Sequence, residues 1–172
     1  MTSAPRILGL DLSITATGMC LPDGSTRTIT TRDKGDWRLV AIQHAVRQQT
    51  GALDLAVIED LPTHAKSAGI TGMVHGAVRT VLLDEGIPYV LVTPATLKAY
   101  ATGKGNADKT AMAIAALKRA GREFGDDNQC DAWWLRAAGL DWYGGPEFEV
   151  PKAQRDRLGK VDWPALATGV AA

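Results

Sequence analysis

Three strands follow one another at the start of this chain with no helix between them, and that order limits the fold more than any other feature. Residues 6–13, "RILGLDLS", are apolar enough for a buried strand, and Thr17–Leu21 makes a second. Pro22-Asp23-Gly24-Ser25 then supplies turn chemistry: proline presets φ, glycine admits positive φ, and Asp and Ser side chains bond their own backbone. Thr26–Thr31 alternates polar and apolar as a third strand. Consecutive short strands of this kind predict an antiparallel meander.

Beyond the meander, helices and strands alternate. Leu39, Val40, Ile42, Ala45 and Val46 have helical spacing within Trp37–Gln49, with Gly51 closing the helix. Leu55–Glu59 is a short apolar strand that ends in an acid. Residues 60–72, "DLPTHAKSAGITG", read as a loop; Met73–Leu83 reads as a helix ended by Gly86, and Pro88–Val92 as a fifth strand. Thr93-Pro94 begins a short helix, Thr as N-cap and Pro at the first position. A glycine-containing loop, "ATGKGNADKT", leads to helices over Asp108–Ala120, closed by Gly121, and Asp127–Leu140. The expectation is an α/β domain over residues 1–143, its mixed five-stranded sheet flanked by helices. Residues 144–172 are expected to be an irregular tail packed partly through Trp163.

Acidic and basic residues balance at 19 each, so any nucleic-acid footprint has to be local. Cys20 and Cys130 stand apart in apolar contexts, which argues against a disulfide framework or a zinc site. No apolar run reaches the roughly 18–20 residues of a membrane span, and no apolar signal region follows "MTSAPR"; a cytoplasmic protein is expected.

Three acids carry the chemical argument. Asp11 sits inside the first apolar strand, where an unpaired charge is costly. Glu59 ends the fourth strand, and strand ends carry sites in α/β folds. Asp131 lies in the first turns of the last helix, where the macrodipole alone favours an acid. If the first and fourth strands are neighbours, their acids meet at one place that the helix covers. Magnesium takes hard oxygen ligands, and two ions about 3.5–4 Å apart clamp the attacking and leaving oxygens of a phosphodiester. A metal ion also offsets the cost of an acid on a buried strand. Nearby, residues 98–122 hold Lys98, Lys104, Lys109, Lys118, Arg119 and Arg122 against Asp108 alone. Beside an acid cluster such a stretch reads as a phosphate track, with glycines at 103 and 105 letting the backbone come close. Lys152, Arg155, Arg157 and Lys160 in the tail extend it.

Together, "ILGLDLSITATG", "LAVIED", "VTPATLKAYATGKGNADKTAM" and "DDNQCDAWWLRAAG", in this order over residues 6–143, resemble the RuvC family of Holliday junction resolvases in the ribonuclease H-like superfamily, most of all its divergent phage branch. The resemblance implies a homodimer that nicks opposed strands of a four-way DNA junction with Mg2+, Mn2+ substituting and two ions in use. It makes Asp11, Glu59 and Asp131 metal-binding catalytic acids. Lys98 and Lys109 match family lysines at the phosphate backbone, with Lys104, Leu61 and Lys66 as further DNA contacts. The host compartment it implies is the cytoplasm of a bacterium or phage-infected cell.

Two departures matter. The family often has an acid or histidine three residues before the last acid; that position is Asn128 here, so the fourth ligand is Asp127 or Asn128. Junction-specific members also place an aromatic wedge soon after the second acid, where this chain has Asp60-Leu61-Pro62-Thr63-His64. Leu61 can wedge, since apolar side chains unstack bases, but a flap or other branched substrate becomes an alternative. His64 and His75 read as ordinary loop and helix residues, and Trp133-Trp134 as core. Gly72, Gly76 and Ala77 suit close helix contact, which makes the Met73–Leu83 helix the candidate dimer element. An actin-like ATPase needs a second similar domain that 172 residues do not supply, and a proofreading-type exonuclease wants an acid where Ser13 stands. A binding module that has lost activity is the remaining alternative, favoured by the missing fourth acid and opposed by the three that are present.

Overall fold

The computed structural model describes residues 4–61 and 68–166. Its elements are β1 (Ile7–Asp11), β2 (Thr17–Cys20), β3 (Thr26–Ile29), α1 (Trp37–Arg47), β4 (Leu55–Glu59), α2 (Ala68–Asp84), β5 (Tyr89–Val92), α3 (Pro94–Thr102), α4 (Lys109–Ala120), α5 (Asp127–Trp142), α6 (Lys152–Arg155) and a 3-10 turn over Asp156–Lys160. The sheet order is β3-β2-β1-β4-β5. The first three strands form the antiparallel meander, and β4 and β5 add in parallel beyond β1. The Pro22–Ser25 turn closes as its residues predict: Gly24 N–H donates to the Leu21 carbonyl at 2.9 Å, and Asp23 accepts from Ser25 N–H at 2.9 Å.

Alternation along the strands builds two cores, one on each face. Ile7, Leu55, Val57, Val90 and Val92 point to the face covered by α3, α4 and α5. Leu8, Leu10, Met19, Ala56 and Ile58 point to the other, covered by α1 and α2 through Ile42, Val46, Val74, Val78 and Val81. Each such aliphatic side chain, fully buried, is worth about 1.5–3 kcal/mol. Trp133 and Trp134 are core residues, and the Trp134 indole donates to the Met112 carbonyl at 3.2 Å. Cys20 and Cys130 are buried and unpaired.

The structure corrects the sequence reading at several points. α2 begins at Ala68, inside the segment expected to be loop. Each glycine costs a helix about 1 kcal/mol, but burial of Val74, Val78, Val81 and Leu82 on this helix outweighs Gly69 and Gly72. α1 stops at Arg47, and its end is tied off by the Thr50 hydroxyl, which donates to the Arg47 carbonyl at 2.7 Å, and not by Gly51. The segment after Gly144 is more ordered than its lack of periodicity suggested. It carries α6 and the 3-10 turn, and Val150 and Leu158 are buried in the α5-side core. Trp163 packs there as expected, donating from its indole to the Leu158 carbonyl at 2.9 Å.

Candidate metal centre

Period-two alternation that sends Ile7 and Gly9 toward α5 sends Asp11 there too, at the last position of β1. Leu55 and Val57 do the same for Glu59 at the end of β4. Parallel pairing of Leu10 with Ile58 makes the two acids neighbours at the carboxyl ends of adjacent strands.

The third acid is set by how closely α5 lies on the sheet. A Cβ on Gly18 would fall 2.0 Å from the Asn128 carbonyl oxygen, and one on Gly9 would fall 2.0 Å from that of Ala132. Gly139 plays the same part from the helix side, its missing Cβ leaving room for Ile7 and Val57. The signal for these contacts was available, since a strand glycine often marks where another backbone comes close. Positions 128, 132 and 139 therefore face the sheet, and Asp131, one residue before Ala132, is turned toward β1 and β4. One ligand oxygen from each of Asp11, Glu59 and Asp131 lies within 4.8 Å of the others.

The electrostatics record the crowding. Burial, first, and then the charge of Asp131 push the Asp11 carboxyl up to about 7. Burial and the charges of Asp11 and Asp131 push Glu59 up to about 9. A hydrogen bond between these two favours a Glu59 that keeps its proton and an Asp11 that accepts it. Burial raises Asp131 to about 6, against the pull of Lys109 and Lys98. Three like groups, half-buried and short of countercharge, are a donor set that a hard divalent cation fits.

Lys98 of α3 and Lys109 of α4 line the same open cleft of about 250 Å³, together with Asp127, Asn128, Met112 and Pro94. Lys109 is ion-paired with Asp127, joining the first residues of α4 and α5. Asp126 is used structurally: as N-cap it accepts from Gln129 N–H at 2.9 Å and from the Thr28 hydroxyl. Behind Asp11, the buried Thr17 hydroxyl donates to the Ser13 carbonyl at 2.6 Å and pins the loop.

Not every candidate residue gathers there. Lys104 is exposed in the loop after α3 and does not line the cleft. Leu61 is half-buried, its side chain turned toward Gly72 of α2. Lys66 and His64 lie outside the described residues. His75 is buried in α2 and does not line the cleft.

Comparisons with family models and with curated protein sequences return no match. Among solved structures, the fold matches RuvC from Thermus thermophilus with a TM-score of 0.63 and 17% identity, over 84% of this chain and 99% of that one. T. thermophilus RuvC in complex with a Holliday junction substrate matches with a TM-score of 0.65 and 17% identity, over 86% and 99% of the two chains. The chain has a RuvC-like fold.

Proposed function

We propose that this protein is a metal-dependent endonuclease that resolves four-way DNA junctions. The observation that carries the reading is the convergence of Asp11, Glu59 and Asp131 on one cleft of a RuvC-like fold. Asp11, Glu59 and Asp131 would hold Mg2+, or Mn2+ in its place, with Asp127 or Asn128 at the rim as a further ligand. A pair of such ions, when bound, supplies an activated water and neutralises the departing oxygen.

The chain's own residues do the rest. Lys98 and Lys109 face the cleft and attract the scissile phosphate. Asp127 holds Lys109 in place until phosphate arrives to share it. Met112 and Pro94 form an apolar wall beside the acids. Water adds at phosphorus and the bond to the 3′ oxygen breaks, leaving a 5′-phosphate and a 3′-hydroxyl.

Opposed nicks require two copies. On α2, Ile70, Met73 and Leu83 are exposed apolar residues, and Gly76 between them leaves open space. This stripe is the proposed self-association face. No helix among the described residues is long and apolar enough to cross a membrane. The absence of an aromatic over residues 60–64 favours a second reading, a nuclease for flaps and other branched DNA as well.

The test is cleavage of labelled four-way, flap and linear DNA by the protein and by Asp11→Asn, with Mg2+ or Mn2+. Symmetric nicks in the junction that need metal and vanish in Asp11→Asn are expected, with junction binding retained. Equal cutting of flaps selects the broader reading. Junction binding with no cutting by the unaltered protein refutes the nuclease and leaves a binding module.

A further inference from the structure

Two of the four cations in residues 152–160 are already ion-paired within the chain. Lys152 pairs with Asp156 at 2.8 Å, and Arg155 pairs with buried Asp141 at 2.6 Å. Arg157 and Lys160 are exposed and make no ion pair among the described residues. These two line a groove of about 230 Å³ whose other side is Ala95, Thr96 and Ala99 of α3 and Gly103 and Gly105 of the next loop.

The groove has three properties of a backbone-binding surface. It carries two cations and no acid among its lining residues. Its opposite side is lined by alanine, glycine and Thr96, short side chains that leave a sugar-phosphate chain room to come close. It is also held firmly: Leu158 is fully buried, Gln154 accepts from Arg119 at 2.8 Å, and Gly103, at φ +87°, takes a left-handed cap conformation that favours glycine. The cations therefore project from a fixed turn.

Its position relates it to the acid cleft. Pro94 and Lys98 of α3 line the cleft, while Ala95 and Ala99, the next positions round the helix, line the groove. The groove therefore lies on the neighbouring face of the same helix, about 100° round from the cleft.

We propose that Arg157 and Lys160 form a second phosphate subsite, which grips DNA backbone beside the cleft that holds the scissile phosphate. It rests on the nuclease reading and adds to it the part of the substrate that the tail holds. Each phosphate neutralised contributes about 0.9 to the slope of log affinity against log salt.

The test uses the full-length Asp11→Asn protein in EDTA, with a fluorescent four-way junction as probe and anisotropy as readout. Adding Arg157→Ala and Lys160→Ala should lower the salt slope by about 1.8 and change the affinity ratio to the parent about tenfold between 50 and 200 mM salt. Lys152→Ala, which removes an equal charge already paired to Asp156, should leave the slope unchanged. An unaltered slope in the double variant, with junction binding intact, overturns the subsite alone. An equal loss in Lys152→Ala also overturns it, by making the effect one of overall charge. No junction binding by the Asp11→Asn parent overturns the nuclease reading and the subsite with it.

Discussion

Adding one methyl group at Gly18 should disable the proposed metal centre without touching any acid. The new Cβ would lie 2.0 Å from the Asn128 carbonyl oxygen, where ordinary contact begins at 3.4 Å. Both partners are backbone, so α5 must retreat by about 1.4 Å at its first turn, because packed interiors have little slack. Overpacking of this kind costs about 1–3 kcal/mol, which lowers the melting temperature by about 2–12 °C in a domain of this size. The loss of function should be larger than the loss of fold. Asp131 travels with α5, whereas metal–ligand distances tolerate only about ±0.2 Å, and an ångström of misplacement costs about 100-fold in rate. The assay pairs thermal melting with junction cleavage at a temperature where Gly18→Ala is fully folded. Gly69→Ala, whose Cβ meets nothing within 4 Å among the described residues, serves as control and should be at least as stable as the parent. A Gly18→Ala protein with parental melting and parental cleavage would refute the close seat of α5 and the placement of Asp131 that depends on it.

The charges give two further expected outcomes. Asp11, Glu59 and Asp131 all titrate above the ordinary carboxylate range when folded. Their contribution to stability is therefore complete below the ordinary values near pH 4 and is lost as pH rises through about 6 to 9; melts in EDTA should fall across that window, fall less in Asp11→Asn, and recover with Mg2+ most at high pH. In the α5-side core, Arg155→Ala strands the Asp141 carboxylate, which is 1% exposed and also accepts from Tyr100. A loss of about 1–3 kcal/mol by urea denaturation is expected, with cleavage per folded molecule unchanged.

The order of strands was legible because the Pro22–Ser25 turn and the acids closing β1 and β4 are local signals, readable from adjacent residues. Asp11 and Glu59 could be brought together on paper because strands alternate and the meander leaves β1 free to take β4 as a parallel partner. The ion pair of Lys109 with Asp127 was not legible, since its partners are 18 residues apart on separate helices. The first turn of α2 was hidden by Gly69, which reads as a breaker until the packing of the rest of the helix is known. Order in the tail rests on Leu158, Trp163 and Arg155, each held by a residue or backbone group that no period in the sequence announces. Glycines at 9 and 18 are the seats of α5, a role not read from the sequence although a glycine inside a strand is a sign of close backbone approach.

Asp11, Glu59 and Asp131 come from the beginning, the middle third and the last third of the chain. Synthesis delivers them in that order, N-terminal segments first. A chain still on the ribosome can pair β1 with β4 and so bring two acids together, but it holds no complete ligand set until α5 has emerged and settled over the glycines at 9 and 18. An incomplete or truncated translation product thus lacks the ligand set, and under the nuclease proposal it would cut nothing.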